Sequence, residues 1–492
     1  MYESSADPRP AAQVKSPARL PMKEKIGWGI GGFLENMVGN SLGVMALPIF
    51  NIALGINPVL LGWAMSMPRL LDGLLDPWLG SLSDNTRSRW GRRRPWVFAG
   101  AILAPLALAL LFSVPPEWGK TAIFIWFAAF CSIVYVLMSV FSISYGALGF
   151  ELTTDYNERT RVQAWRFVFI AVSGLLVGWL YRFALHPIFA GAVVEGVRPE
   201  VIGMRNIMWI LLLPMVAAGL APVFFGREQI EVVAQEKIGI RQGFLMTLRN
   251  PPFIIFTLLG LFTLTGGILV GPFSLYISIY HVCNGSKELA ATIAGVGTIF
   301  NTALSFALIP AVTHFSAKFG KRETLLLAQA LLIAGSLLSW IVFTPASPWL
   351  MLSTVPFNCI ALTCILILNG SIMADICDYD ELQTGLRREG MYGAVAAFIG
   401  KVAFSSIGIL SGYMLVWSGY VEADKQTPEA IHNMRVFFAF IPAAFGLVGL
   451  VLTLFFPLTR KKVMAVRAAI DARRAAAQSA ADSPDKPAGD AA

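Results

Sequence analysis

The sequence predicts an all-α membrane protein of twelve transmembrane helices, arranged as two pseudo-symmetric six-helix halves. Three observations predict it. Of the 492 residues 56% are hydrophobic and only 14% charged, with a mean hydropathy of +0.65, which is too apolar for a soluble globule. About a dozen apolar runs of roughly 20 residues follow one another, each long enough to cross a hydrocarbon core as a helix, and none alternates as barrel strands would. Short motifs recur at corresponding places in the two halves of the chain.

In order, the spans fall near 27–54, 57–83, 95–114, 121–149, 164–188 and 205–226, then 252–280, 289–315, 324–344, 349–373, 392–418 and 435–458. A polar tail (1–26) precedes them, a polar segment (227–251) divides them six and six, and a tail (459–492) follows, Ala- and Arg-rich and then Ser-, Pro- and Asp-rich. That last stretch reads as a short surface helix followed by disorder. The first apolar run is too long for a signal peptide and lacks a small-residue cleavage site. Lys and Arg crowd alternate loops: the two tails and the loops on their side hold roughly 28 of the 38, the opposite loops about 6, so both termini are expected in the cytoplasm. With the basic residues spread over loops, the net charge of +8 reflects lipid headgroups and topology; no nucleic-acid partner is expected.

After the second span the chain reads Ser88-Arg89-Trp90-Gly91-Arg92-Arg93, and after the eighth Ala317-Lys318-Phe319-Gly320-Lys321-Arg322. After the fourth it reads Asp155-Tyr156-Asn157-Glu158, and after the tenth Asp378-Tyr379-Asp380-Glu381. Gly91 and Gly320 are 229 residues apart, Asp155 and Asp378 223, and the nearly equal offsets relate the halves. Two such halves form a rocking carrier with a midplane site between them. Gly80, Asp84, Arg87, Arg89, Gly91, Arg92, Asp155, Glu158, Asp375 and Asp378 are the expected conformational-switch positions of these loops.

A charge at bilayer centre costs roughly 2.5–3.5 kcal/mol on insertion scales, so charges within spans need a reason. Arg69, Asp72 and Asp76, at i, i+3 and i+7, share one face of the second span. The two carboxylates can hold a small cation between them or share a proton, with Arg69 tuning both. Arg166 in the fifth span and Lys401 in the eleventh have no sequence-local partner, which points to Asp72 or Asp76 across helices. Arg182, close to a span end, reads as an interfacial anchor. Glu35 and Asn36 in the first span can hydrogen-bond a polar substrate, and Trp28 or Trp126 can stack on a sugar face. Cys131, Cys283, Cys359, Cys364 and Cys377 have no pairing or metal spacing and read as small core residues. The four His form no metal cluster, no G-x-x-x-x-G-K-[ST] stretch occurs, and no catalytic cluster is visible. An enzyme and a resident cofactor or metal are therefore not expected.

Asp72-x-x-x-Asp76-Pro77-x-x-Gly80, Thr86-Arg87-Ser88-Arg89-Trp90-Gly91-Arg92, Asn157-Glu158-Arg159 with Arg166, Ala374-Asp375-Ile376 with Asp378-Tyr379, and Arg388-Glu389-Gly390 before Lys401 carry a resemblance. The chain resembles the glycoside-pentoside-hexuronide cation symporters of the major facilitator superfamily, melibiose permease being the best-known member, over nearly its whole length. The resemblance implies that Asp72 and Asp76 form the cation site and that Arg166 and Lys401 serve substrate binding and charge balance. Two departures stand out. An ungapped match puts Asn36, beside Glu35, where melibiose permease has the acid that grips a galactosyl group, which argues against a simple galactoside. Leu75 stands where it has an asparagine suited to sodium, which favours protons over a transient Na+ at Asp72 and Asp76. The expectation is a monomeric secondary carrier in the plasma (bacterial inner) membrane. It would couple uptake of a sugar, glycoside or uronide to H+, or to Na+, by alternating access; a cation-coupled carrier of an amphiphile such as a lysolipid is the alternative.

Overall fold

The computed structural model describes residues 20–153, 156–191, 196–226, 249–385, 389–421 and 426–482. In the first half α1 (Met22–Gly29) and α2 (Gly31–Ala46) run into a π-helical turn at Leu47–Ala53. Then come α3 (Pro58–Asn85), α4 (Arg94–Leu111), α5 (Lys120–Glu151), α6 (Tyr156–Ala184), the one-turn α7 (Pro187–Ala190) and α8 (Pro199–Phe225). The second half holds α9 (Pro251–Ile277), α10 (Lys287–Phe319), α11 (Lys321–Val342), α12 (Val355–Thr384), α13 (Glu389–Trp417) and α14 (Pro428–Phe455). Last is α15 (Arg460–Asp482), whose Val466 and Ile470 are buried.

Eleven helical passages among the described residues are long and apolar enough to cross a membrane. The twelfth expected span is α3, which is 28 residues long but is interrupted by Arg69, Asp72 and Asp76, the charges that mark the site. Several helices overrun the expected spans: α6 starts at Tyr156 rather than 164, α12 continues to Thr384 rather than 373, and α14 starts at Pro428 rather than 435. Hydropathy finds the hydrocarbon-depth segment, whereas the helix continues through polar residues until a cap stops it.

Those caps are readable. Asn57 Oδ1 accepts from the Val59 amide at 2.9 Å with Pro58 at the first helical position, and Asn250, Ser286 and Thr427 cap α9, α10 and α14 in the same way. The repeated glycines have a backbone reason, since Gly91 (φ +106°) and Gly320 (φ +113°) occupy a region closed to most side chains. The largest buried cluster runs through the first half and takes in Phe273, Tyr276 and Phe438 of the second. A smaller one, around Phe253, Phe256 and Tyr392, belongs to the second half alone. One end of the bundle, the basic end, carries the arginine-rich loops together with the start of α1 and the end of α14; the far end is opposite.

Candidate functional site

The halves meet along two seams that the internal repeat exchanges, α3 against α13 and α6 against α10. Both need glycine from the far end inwards. A Cβ on Gly62 would lie 2.4 Å from the Gly408 carbonyl oxygen, and one on Gly412 2.6 Å from that of Pro58. Across the other seam a Cβ on Gly178 would lie 2.4 Å from Thr298 Oγ1, and one on Gly295 2.7 Å from the Trp179 ring. Small residues let helices approach where apolar side chains gain nothing over lipid. At the far end Lys287 Nζ stands 2.6 Å from the buried Glu200, and the Tyr276 hydroxyl donates to Asn51 Oδ1 at 2.7 Å. Arg182, expected to anchor at the interface, stands 4.0 Å from Glu288 of the opposite half.

Deeper along the α3–α13 seam the charges converge. Lys401 Nζ donates to Asp72 Oδ2 at 2.8 Å and to Asp76 Oδ2 at 2.5 Å, joining the halves through one ammonium held by two carboxylates. Spacing of i, i+4 on α3 puts both acids on the face that α13 covers. The Ser139 hydroxyl donates to Asp72 Oδ1, whereas Asp76 Oδ1 is buried and accepts no hydrogen bond among the described residues. Arg69 lies one turn nearer the far end, its guanidinium 4.7 Å from the Phe404 ring centroid and 5.8 Å from that of Tyr135. Leu75 is exposed and offers the cluster nothing. Among the described residues no group of three His, Cys, Asp or Glu side chains could hold a metal ion.

Arg166 corrects an expectation. Its guanidinium donates to Glu35 Oε2 at 2.6 and 3.1 Å, so its partner is the acid of the first passage and not Asp72 or Asp76. The reason is proximity: α6 packs on α2, with Gly32 directly under the Arg166 stem. Asn36 is spent between helices, donating to Ile170 O at 3.1 Å and to Ser173 Oγ at 2.7 Å. Trp28 does not face a substrate either. It is fully buried, stacks on Tyr145 at 4.8 Å and fills the space over Gly149, while Trp126 bonds the carbonyls of Leu110 and Leu111. All five cysteines are buried, and burial pushes the Cys283 thiol up to about 11.

Between the halves lies a cavity of about 610 Å³, lined by both. Asn40, Ser66, Arg69, Tyr135, Asn301 and Asn358 give it polar character within a largely apolar wall. Of the residues expected at a substrate site, Arg69 is the one among its described lining residues; Asp72 and Asp76, both paired with Lys401, follow it along α3 towards the basic end. The three asparagines and Tyr135 were not legible as a site, although Asn40 sits one turn after Asn36 and hands its amide to Asn36 Oδ1 at 2.5 Å.

At the basic end the loop motifs hold helix ends within each half. Arg92 and Arg93 each reach Glu151 Oε1 at 3.2 Å, and Lys321 bonds Asp375 in the repeat-related place. Glu151, not singled out by the sequence motifs, stands four residues before Asp155, much as Asp375 stands three before Asp378. Glu158 pairs with Lys25 at 2.6 Å and Arg161 at 2.7 Å, Asp378 stands 3.5 Å from Arg467, Gly80 is helical, and Arg87 and Arg89 are exposed. Asp155 and the side chain of Asp84 lie outside the described residues.

Comparison with known proteins matches residues 27–460 to the family described as MFS/sugar transport protein. The glucuronide carrier protein homolog of Escherichia coli K12 is 25% identical over 93% of this chain and 97% of its own length. The isoprimeverose transporter of Lactiplantibacillus pentosus is 23% identical over 92% and 93%. Among solved structures, that of a D-xylose-proton symporter superposes with a TM-score of 0.63 at 14% identity, covering 88% of this chain and 97% of that one.

Proposed function

The chain belongs to the MFS/sugar transport protein family, and from that premise we propose that it couples entry of a sugar, glycoside or uronide to inward movement of one proton or, less readily, one sodium ion. It is an integral membrane transporter and not an enzyme. The carrying observation is the Lys401 ammonium from one half between the Asp72 and Asp76 carboxylates of the other. A cation arriving at those carboxylates competes with Lys401 for the same oxygens, so ion loading changes the strength of a bond between the halves. That is the differential contact that a two-state carrier needs.

We place the basic end in the cytoplasm on the Lys and Arg distribution. Residues 1–26, 227–251 and 459–492 then lie in the cytoplasm, flanking the six-helix halves at 27–226 and 252–458. The ion pair and close packing at the far end support a state shut to the outside, with the cavity awaiting release or reloading from within. The proton is favoured on chemistry. The two carboxylates and the Ser139 hydroxyl supply few of the oxygens a bare cation prefers. Glu35 and Arg166, bound to each other, would open towards cargo hydroxyls as the helices rock.

The test uses the purified protein in proteoliposomes with an imposed pH gradient and a panel of 4-nitrophenyl glycosides and glucuronides. Accumulation of one of them by the native protein, lost in both Asp72→Asn and Asp76→Asn, is expected. Accumulation that survives both substitutions contradicts the proposal.

A further inference from the structure

We propose that the far end is a gate made from two copies of one device. A π-helical turn in each half is its hinge, and two bonds between the halves, Lys287 to Glu200 and Tyr276 to Asn51, latch it shut. This rests on the carrier reading above for the motion, and on neither its cargo nor its ion.

The hinge comes from the repeat. The first passage ends in the π-helical turn Leu47–Ala53, and the seventh, α9, runs into another at Ser278–Val282; these are the two π-helical turns among the described residues. Their widened bonds coincide at an offset of 229 residues, which is also that of Gly91 and Gly320. The Leu54 amide donates to Ile49 O at 3.1 Å, as Cys283 does to Ser278 O at 2.8 Å. The Ile56 amide donates to Phe50 O at 2.8 Å, as Gly285 does to Ile279 O at 2.7 Å. In the same register Gly55 (φ +69°) matches Asn284 (φ +50°), and the helix cap Asn57 matches the cap Ser286. The side chains of the two turns differ almost throughout, so what the copies share is a backbone shape. A π-turn holds one residue more than the α-helix around it. Its bonding frame can slide by a residue with little loss of bonds, which gives a bend point that a regular helix lacks.

The latch comes from charge and burial. Glu200, at the start of α8, is 1% exposed, and Lys287, the first residue of α10, stands 2.6 Å from it across the halves. Tyr276 is fully buried against the rings of Tyr280 and Tyr420, with its hydroxyl on Asn51. Asn51 belongs to the first π-turn and also donates to Ile56 O at 2.7 Å, so latch and hinge are joined. Opening the far end separates both pairs and lets water reach Glu200. Loss of Lys287 therefore destabilises the shut state, where a carboxylate is left buried and unpaired, far more than the open one. Such a pair sets the balance between the two states without touching cargo or ion.

The experiment measures spin-label distances by pulsed electron resonance in the purified full chain in nanodiscs, with no ligand added. Labels go on Glu117→Cys and Ser347→Cys, exposed far-end positions in the first and second half, while all five native cysteines are buried. Lys287→Met should raise the ratio of long to short distances at least about tenfold. Glu200→Gln should raise it less, because the Lys287 side chain, 19% exposed, can turn to water. The double variant should fall back towards the native ratio. Tyr276→Phe keeps the ring and should raise the ratio about threefold, and it carries the test if Lys287→Met does not fold. Amide exchange in the opened variant should quicken at Leu54, Ile56, Cys283 and Gly285 ahead of the helices beside them. Unchanged distances in Lys287→Met and Tyr276→Phe, whatever their melting temperatures, overturn the latch and leave the carrier reading, which stands on Asp72 and Asp76, untouched. Longer distances without quicker exchange at those four amides overturn the hinge.

Discussion

The α3–α13 and α6–α10 seams are built alike and charged differently. Both bring helices together over glycines at the far end, Gly62 and Gly412 in one, Gly178 and Gly295 in the other. The register that sets Gly320 against Gly91 sets Asn301 against Asp72 and Ser305 against Asp76. Where the first seam holds two acids and a lysine, α10 carries an amide and a hydroxyl at the equivalent places, and Ser305 Oγ turns to the Cys359 thiol of α12 at 3.1 Å. The symmetric shape provides close packing on both sides, and under the proposed mechanism the chemistry would make one of them answer to an ion. On the proposed mechanism, coupling would therefore reside in the asymmetry between repeats more than in the fold.

The comparison breaks most visibly by exchanging chemistry at equivalent places. Asp76→Asn should lower gradient-driven accumulation at least about 100-fold, as expected for loss of an ion site, whereas Ser305→Ala should leave it within about threefold. Both are read as steady-state accumulation in proteoliposomes. Stability should separate the seams next. Lys401→Met strands two carboxylates and should cost about 3–5 kcal/mol, seen as a lowered melting temperature in detergent. Adding Asp76→Asn should return much of that loss, and a double variant no better than the single would mean that Lys401 acts by packing alone.

The close packing itself comes third. Gly62→Ala sets a methyl against a backbone carbonyl that cannot turn aside, and Gly178→Ala sets one against Thr298, whose side chain can. Spin labels on far-end loops of the two halves should show longer distances in both variants, more so for Gly62→Ala. The smallest effect is expected at the rim. Arg182→Gln removes a 4.0 Å contact to the largely exposed Glu288 and should change stability by under about 1 kcal/mol.

Much of this was legible in the sequence for a physical reason. Bilayer insertion makes each buried charge costly, so Asp72, Asp76 and Lys401 stand out in the sequence as a candidate site, and the repeat places them in an architecture. What stayed hidden was partnership across helices. Arg166 gave no sign in its own neighbourhood that Glu35, 131 residues earlier, would claim it, because that choice follows from the packing of α6 on α2. The cavity's amides were hidden for another reason. Asn40, Asn301 and Asn358 cost less in a membrane than charges and commonly join helices, so nothing local separates a lining asparagine from a structural one. Trp28 shows the converse: an aromatic in a suggestive place that is buried between helices, stacked on Tyr145, bonded to its carbonyl and filling the space over Gly149.

The most direct measurement is the pH of a weakly buffered, sodium-free suspension of de-energised cells on addition of whichever 4-nitrophenyl glycoside or glucuronide the native protein accumulates. It would be made with the native chain, Asp76→Asn and Ser305→Ala. If the charged seam carries the coupling, the medium turns alkaline with the native protein and with Ser305→Ala, and stays flat with Asp76→Asn. Alkalinisation that persists in Asp76→Asn would contradict it and move the coupling away from the α3–α13 seam.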